Sequence, residues 1–270
     1  MAKPVRTLDI KEQAGFRAVA FICLCLLYAP ILILVFFSFN AGELVMRWEG
    51  VSFHWYGKAL FNEDFHHAAK NTLIISASAT LIATTAATLA AIGMTRIKPW
   101  RGLGAALMVI NLPLMVPEII TAVATLSFFA LISSAFGLNF GIGNLILAHS
   151  VFCIPFAYLP IRARLEDMDL TLEQAAADLY ATPWQAFRRV TLPLLAPGIL
   201  SGGALAFIVS FDDFTITQLV AGPGQTTLPL FIWNQIRRPI TPEINAISTI
   251  LLLVSIALIS LSFLIASRRK

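Results

Sequence analysis

Hydrophobic positions in this chain come in long unbroken runs rather than in alternation or in narrow amphipathic stripes. Six runs approach the roughly 20 residues an α-helix needs to cross hydrocarbon: 18–39, 72–95, 103–132, 143–161, 194–220 and 245–266. The pattern predicts an all-α polytopic membrane protein, a single domain over 1–270 with six transmembrane helices. Between the fourth and fifth runs lies a polar loop, 162–193, whose later part reads EQAAADLYATPWQAFRRVTLP over Glu173–Pro193. Thr171 is placed to cap a helix carrying Glu173, Ala175–Ala177 and Asp178. Thr182-Pro183 ends it and starts a second short helix, because proline fits a first turn but not a helix interior. That helix carries Arg188 and Arg189, and Leu192-Pro193 returns the chain to an apolar run. Two short helices between two spans read as a docking surface.

Composition narrows the class. Mean hydropathy is +0.80, and 13% of the 270 residues are charged, too few for a soluble globular domain. The net charge of +4 reads as basic loops held on one side of a membrane rather than as a nucleic-acid surface. Fourteen of the 19 Lys and Arg fall into four groups. These are Lys3, Arg6, Lys11 and Arg17; Arg96, Lys98 and Arg101; Arg162, Arg164, Arg188 and Arg189; and Arg268, Arg269 and Lys270. Arg47, Lys58, Lys70, Arg237 and Arg238 lie on the other side. The positive-inside rule then puts both termini and the loop 162–193 in the cytoplasm. Cys23, Cys25 and Cys153 sit inside apolar runs, so no disulfide framework is expected. The first run is too long for a signal-peptide core and reads as a retained helix.

Polar groups inside the runs are the candidate chemistry. The third run holds Asn111, Pro113, Pro117 and Glu118; two prolines free backbone carbonyls, which membranes tolerate in a protein interior or beside water. The fifth run holds Phe211-Asp212-Asp213-Phe214 inside an otherwise apolar helix. Counted up their helices, Asp212 lies roughly 22 Å beyond Pro197 and Glu118 roughly 24 Å beyond Gly102, which places three carboxylates in one layer. The fourth run carries Pro155 and Pro160 and is expected to bend, with His149 and Cys153 packing or hydrogen bonding. Segment 40–70 is aromatic (Trp48, Phe53, Trp55, Tyr56, Phe61) and reads as an interfacial belt. Its His54, His66 and His67 lack partners at metal-ligand spacing, so no metal site is expected. Ala221–Pro229 is a turn-rich connection into a short amphipathic element around Phe231, Trp233 and Asn234.

The chain has no GxxxxGK[ST], HExxH or GxSxG motif, so no means of binding or hydrolysing a nucleotide is visible, and a non-catalytic subunit is expected. Its basic pairs lack interleaved aromatics, so no nucleic-acid partner is expected. The loop resembles the EAA loop of the membrane-spanning subunits of ABC importers. Gln174-Ala175-Ala176 take the EAA place with Glu173 one position earlier, Tyr180 takes the Gly place, Val190 the Ile place, and Leu192-Pro193 the end. Further segments resemble the polyamine branch of these permeases: Tyr28-Ala29-Pro30, Ser38-Phe39-Asn40, Pro117-Glu118-Ile119, Ser210–Phe214, Gly222-Pro223-Gly224, Thr226–Pro229 and Pro242–Ala246.

The resemblance implies a type I importer permease fold in a bacterial inner membrane. It implies a sister permease, two copies of an ATP-binding subunit that hold the ATP and magnesium, and a periplasmic polyamine-binding protein. It further implies that Glu173, Gln174, Ala175, Ala176, Asp178, Tyr180, Thr182 and Pro183 couple to the ATPase. Glu118, Asp212 and Asp213, with Phe211 and Phe214, would compensate the ammonium groups of a putrescine or spermidine in the pathway. Related permeases for opines, iron or amino-acid-like substrates are the alternative, and an ATPase-independent channel or carrier is a further one.

Overall fold

In hydrocarbon a backbone amide has no partner outside its own chain, and the described residues accordingly coil into helices. The structure, a computed structural model, describes residues 14–45, 47–96, 100–237 and 242–267. Lys3, Arg6, Lys11, Lys98, Arg238, Arg268, Arg269 and Lys270, and with them the placement of both termini, lie outside the described residues. The helices are α1 (Ala14–Phe37), α2 (His54–Leu60), α3 (Glu63–Thr95), α4 (Leu103–Met115), α5 (Glu118–Phe136), α6 (Ile142–Glu166), α7 (Thr171–Asp178), α8 (Pro183–Ala186), α9 (Leu192–Phe211), α10 (Thr215–Val220), α11 (Leu228–Ile236) and α12 (Pro242–Ser267). Among the described residues five segments are long and apolar enough to cross a membrane: Gly15–Phe37, Glu63–Thr95, Glu118–Phe136, Ile142–Glu166 and Pro183–Phe211. Leu103–Met115 and Pro242–Ala257 are shorter apolar helices.

Two of the six expected spans are broken. Run 103–132 is α4 followed by α5, because Val116 is extended (φ −93°, ψ 135°), as a residue before proline prefers. Run 194–220 is α9 followed by α10, with Asp212 closing the first helix. By contrast α6 passes Pro155 and Pro160 without interruption. Helix α3 begins well before residue 72, because Asn62 accepts the Phe65 N–H at 3.1 Å and Glu63 and Asp64 fill its first turn.

The polar loop departs from expectation at its first helix. Thr171 does not cap it; Asp169 accepts the Thr171 N–H at 2.9 Å, which holds the Asp169 carboxyl below its ordinary range. Thr182 does cap the second helix, with Gln185 returning the bond in a capping box. From Pro183 the helix runs unbroken to Phe211 through a wide π turn at Phe187–Thr191. Pro193 explains the widening, since its ring would otherwise strike the carbonyl four residues back and it has no N–H to donate.

The chain divides into two compact units, Met1–Phe61 with Ile236–Leu251, and Asn62–Gln235 with Leu252–Lys270. In the first, Asn40 is fully buried and organises the turn that follows α1. Its amide donates to the Leu44 and Arg47 carbonyls, and its oxygen accepts from the Gly42 and Glu49 N–H groups. All four bonding positions of that side chain are used.

The second unit is built on α3, α6 and α9. Ile75, Ala79, Ala83, Ala87 and Ala91 recur at four-residue intervals on α3, each at most 1% exposed. Small residues let helix axes approach closely where lipid supplies no hydrophobic drive of its own. Helix α9 answers with Gly198 and Gly202 towards α6 and Gly203 towards Thr84 of α3. At its other end α3 holds the connection into α11. Asn71 donates to the Gly224 and Thr226 carbonyls, both at 3.0 Å, and the Thr72 hydroxyl accepts the Leu228 N–H at 2.8 Å.

Candidate functional site

The acidic pair of the fifth run sits at a helix break, which separates its two members. Asp212 caps the end of α9 and is exposed, whereas Asp213 is 6% exposed. Asp213 accepts the N–H groups of Ile216 (3.3 Å) and Thr217 (3.0 Å), and the Thr217 hydroxyl at 3.0 Å. It is thus the side chain that starts α10. Adjacent Asp residues are poor helix interior and good caps, so the break had a local signal.

Behind Asp213 lies a residue with no local signal for that place. His149 of α6 is 1% exposed, with Nδ1 at 2.8 Å from Ser210 Oγ and Nε2 at 3.1 Å from Thr217 Oγ1 and 3.2 Å from Asp213 Oδ2. A ring with its proton on Nε2 accepts the Ser210 hydroxyl at Nδ1 and donates towards Thr217 and Asp213. Glu118, first residue of α5, is a near neighbour of Asp213 and Thr215. The structure therefore brings Glu118 near Asp213 and leaves Asp212 exposed at the same break. Of the flanking aromatics, Phe211 is buried against Phe207, and Phe214 packs on Trp233 of α11 with ring centroids 5.1 Å apart. A cavity of about 580 Å³ between α4, α5 and α6 is lined by Leu112, Val116, Phe128 and Phe129, with Thr121 and Thr125. Its lining holds no carboxylate and so offers nothing to an ammonium group.

The second candidate surface is the loop. Glu173 turns inward, its Oε1 3.2 Å from Arg96 Nη2 and 3.0 Å from the Thr191 hydroxyl. Gln174, Ala175, Asp178, Thr182 and Pro183 are exposed, and Ala176 is half-buried. Leu179, Tyr180 and Trp184 are 82%, 95% and 66% exposed, three large apolar side chains within one short stretch of a polar loop. Tyr180 has φ +61°, the left-handed conformation, and is the non-glycine residue with positive φ among those described. Around it the Ala181 N–H reaches the Ala176 carbonyl and the Tyr180 N–H the Ala177 carbonyl, a Schellman closure of α7 that glycine normally supplies. Tyr180→Gly relieves that strain, at about 1 kcal/mol. Amide exchange across Ala175–Ala181 is expected to slow about fivefold. Unchanged exchange would show that the backbone there is unstrained.

Residues 87–268 match the family described as binding-protein-dependent transport system inner membrane component. The chain is 40% identical over 228 residues to the putrescine transport system permease protein PotI of Escherichia coli (strain K12), covering 84% of this chain and 81% of that one. It is 35% identical over 254 residues to the spermidine/putrescine transport system permease protein PotC of Haemophilus influenzae, covering 94% and 97%. Among solved structures, a bacterial ABC transporter that imports the acidic polysaccharide alginate matches with a TM-score of 0.76 at 20% identity, over 96% of this chain and 97% of that one. That likeness is one of fold.

Proposed function

The chain belongs to the family of binding-protein-dependent transport system inner membrane components, and from that premise we propose that it is the permease subunit carrying a polyamine, putrescine or spermidine, through an ATP-driven importer. The observation that carries the substrate class, beside relatives named for polyamines, is the break between α9 and α10. There a bundle otherwise apolar presents Asp212 outward, with Glu118 and Asp213 beside it. Carboxylates in such a position cost free energy unless they meet cations or water, and a polyamine brings two or more ammonium groups that need compensation.

The remaining parts follow the same reading. A sister permease completes the pathway in a bacterial inner membrane, and a periplasmic polyamine-binding protein delivers substrate. Two ATP-binding subunits hold the ATP and magnesium. The basic residues Arg96, Arg162, Arg164, Arg188 and Arg189 support a cytoplasmic position for α7 and α8. Leu179, Tyr180 and Trp184 there form the face the ATPase covers, with Gln174 and Asp178 beside them.

The test is uptake of labelled putrescine by the whole complex in proteoliposomes with ATP inside. Putrescine and spermidine are expected to compete at least about tenfold more effectively than amino acids or ferric ion. Competition by ferric ion alone would move the substrate class, and uptake without ATP would replace the importer with a channel or carrier.

A further inference from the structure

Glu173 stands one residue before the motif's usual acidic position, yet in this chain it bonds inward. Its Oε1 meets two other elements at once: Arg96, the residue closing α3, and Thr191, in the π turn that leads into α9. The Arg96 and Glu173 side chains are 19% and 26% exposed and Thr191 is 6% exposed, so this is not a freely solvated surface pair. Arg96 also sits where the α3 dipole favours a cation. Because the helix is continuous from Pro183 to Phe211, Thr191 moves with α8 as well as with α9. One carboxylate therefore links α7 to two long helices, to α9 by the Thr191 hydrogen bond and to α3 by an ion pair in which Arg96 Nη2 makes no aligned hydrogen bond.

The far end of α3 is also clasped. Asn71 and Thr72 hold Gly224, Thr226 and Leu228, and they lie about 37 Å along the helix from Arg96. Between the clasps the alanine stripe leaves α3 no slack against its neighbours.

We infer that Glu173, Arg96 and Thr191 form a positioning strut that passes displacement of α7–α8 to α3, and that Asn71 and Thr72 pass it on to the 222–228 connection. The inference rests on the reading that α7–α8 meets the ATPase, and it adds the route by which that contact reaches the opposite end of the bundle. A plain brace would hold α7 in place without affecting how a signal at one end is read at the other.

The experiment uses the complete transporter in lipid nanodiscs and reads the ratio of ATP hydrolysis with and without putrescine-loaded binding protein. Glu173→Ala and Asn71→Ala, at opposite ends of α3, are each expected to lower the ratio at least about fivefold, the lower bound of a typical coupling. The exchange Arg96→Glu with Glu173→Arg re-forms the ion pair but not the Thr191 bond, and is expected to recover part of the ratio lost in either single variant, which a loss of bulk packing would not allow. Thr191→Val removes a single hydroxyl at nearly constant volume and is expected to lower the ratio as well. An unchanged ratio in complexes of Glu173→Ala that retain their ATPase overturns the strut. Should Glu173→Ala fail to assemble, unchanged ratios in both Thr191→Val and Asn71→Ala overturn it equally. The docking reading has its own outcome: ATPase that still co-purifies with a Leu179→Asp, Trp184→Asp variant shows that the loop is not its seat.

Discussion

Gly202→Val is expected to abolish accumulation of the folded protein. A Cβ at Gly202 would lie 2.5 Å from the Ala157 carbonyl oxygen and 3.1 Å from Ile161 Cγ1. The first of these is backbone in the middle of α6, which cannot swing aside as a side-chain tip can. Overpacking a core costs typically about 1–3 kcal/mol, and more when backbone must shift. Here the shift separates α6 from α9 and uncovers Leu195, Ala206 and Ile161, each at most 1% exposed. The readout is the monodisperse peak of the tagged protein after detergent extraction. Gly93→Val is the control, because Gly93 is also helical and a Cβ there meets nothing within 4 Å. Equal recovery of the two variants would mean that α6 and α9 do not cross this closely.

The second large effect separates two neighbours in sequence. Asp213→Ala leaves the Ile216 and Thr217 N–H groups and the Thr217 hydroxyl without their acceptor, and His149 Nε2 with Thr217 alone. Each buried group so orphaned costs about 1–3 kcal/mol, enough in sum to unfold α10. Thermal unfolding should move down by many degrees and uptake should disappear with it. Asp212→Asn is expected to do the reverse. Asp212 is exposed and caps α9 through its backbone, so the melting temperature should hold while polyamine uptake falls about tenfold, as when a cation loses one compensating charge worth about 1.4 kcal/mol. Normal uptake by a stable Asp212→Asn transporter would remove that carboxylate from the pathway.

Local signals account for most of what was legible. Long apolar runs located the membrane helices, and Thr182-Pro183 located the second loop helix, because both depend on residues adjacent in sequence. The errors share a cause as well. Asp212-Asp213 reads as an acidic interruption of one helix until it is seen that Asp213 serves Thr217, four residues on, as the cap of another. Hydropathy averaged over a window joins the two helices that this side chain divides. Thr171 looked like a cap because its type fits, and Asp169, two residues earlier, takes the bond.

The four-residue spacing of Gly198 and Gly202 is a local close-packing signal that the length of the apolar run does not use. The structure shows both to be closed to a side chain: a Cβ at Gly198 would lie 2.6 Å from Arg164 Cβ, and one at Gly202 2.5 Å from the Ala157 carbonyl oxygen. Contacts between distant parts of the chain had no signal at all. Nothing around Arg96 announces Glu173, and a lone histidine at 149 in an apolar run does not announce Ser210, Asp213 and Thr217.

The π turn at Phe187–Thr191 sets an azimuth. Its closing bond runs from the Leu192 N–H to the Phe187 carbonyl, five residues back, so the turn contains one residue more than an α-helix would use. Each residue of an α-helix advances the face by about 100°. The surplus residue therefore turns Trp184 and its neighbours by that angle about the α9 axis, relative to where an uninterrupted helix would aim them. In this protein the direction in which the loop faces is fixed by the winding of the membrane helix itself.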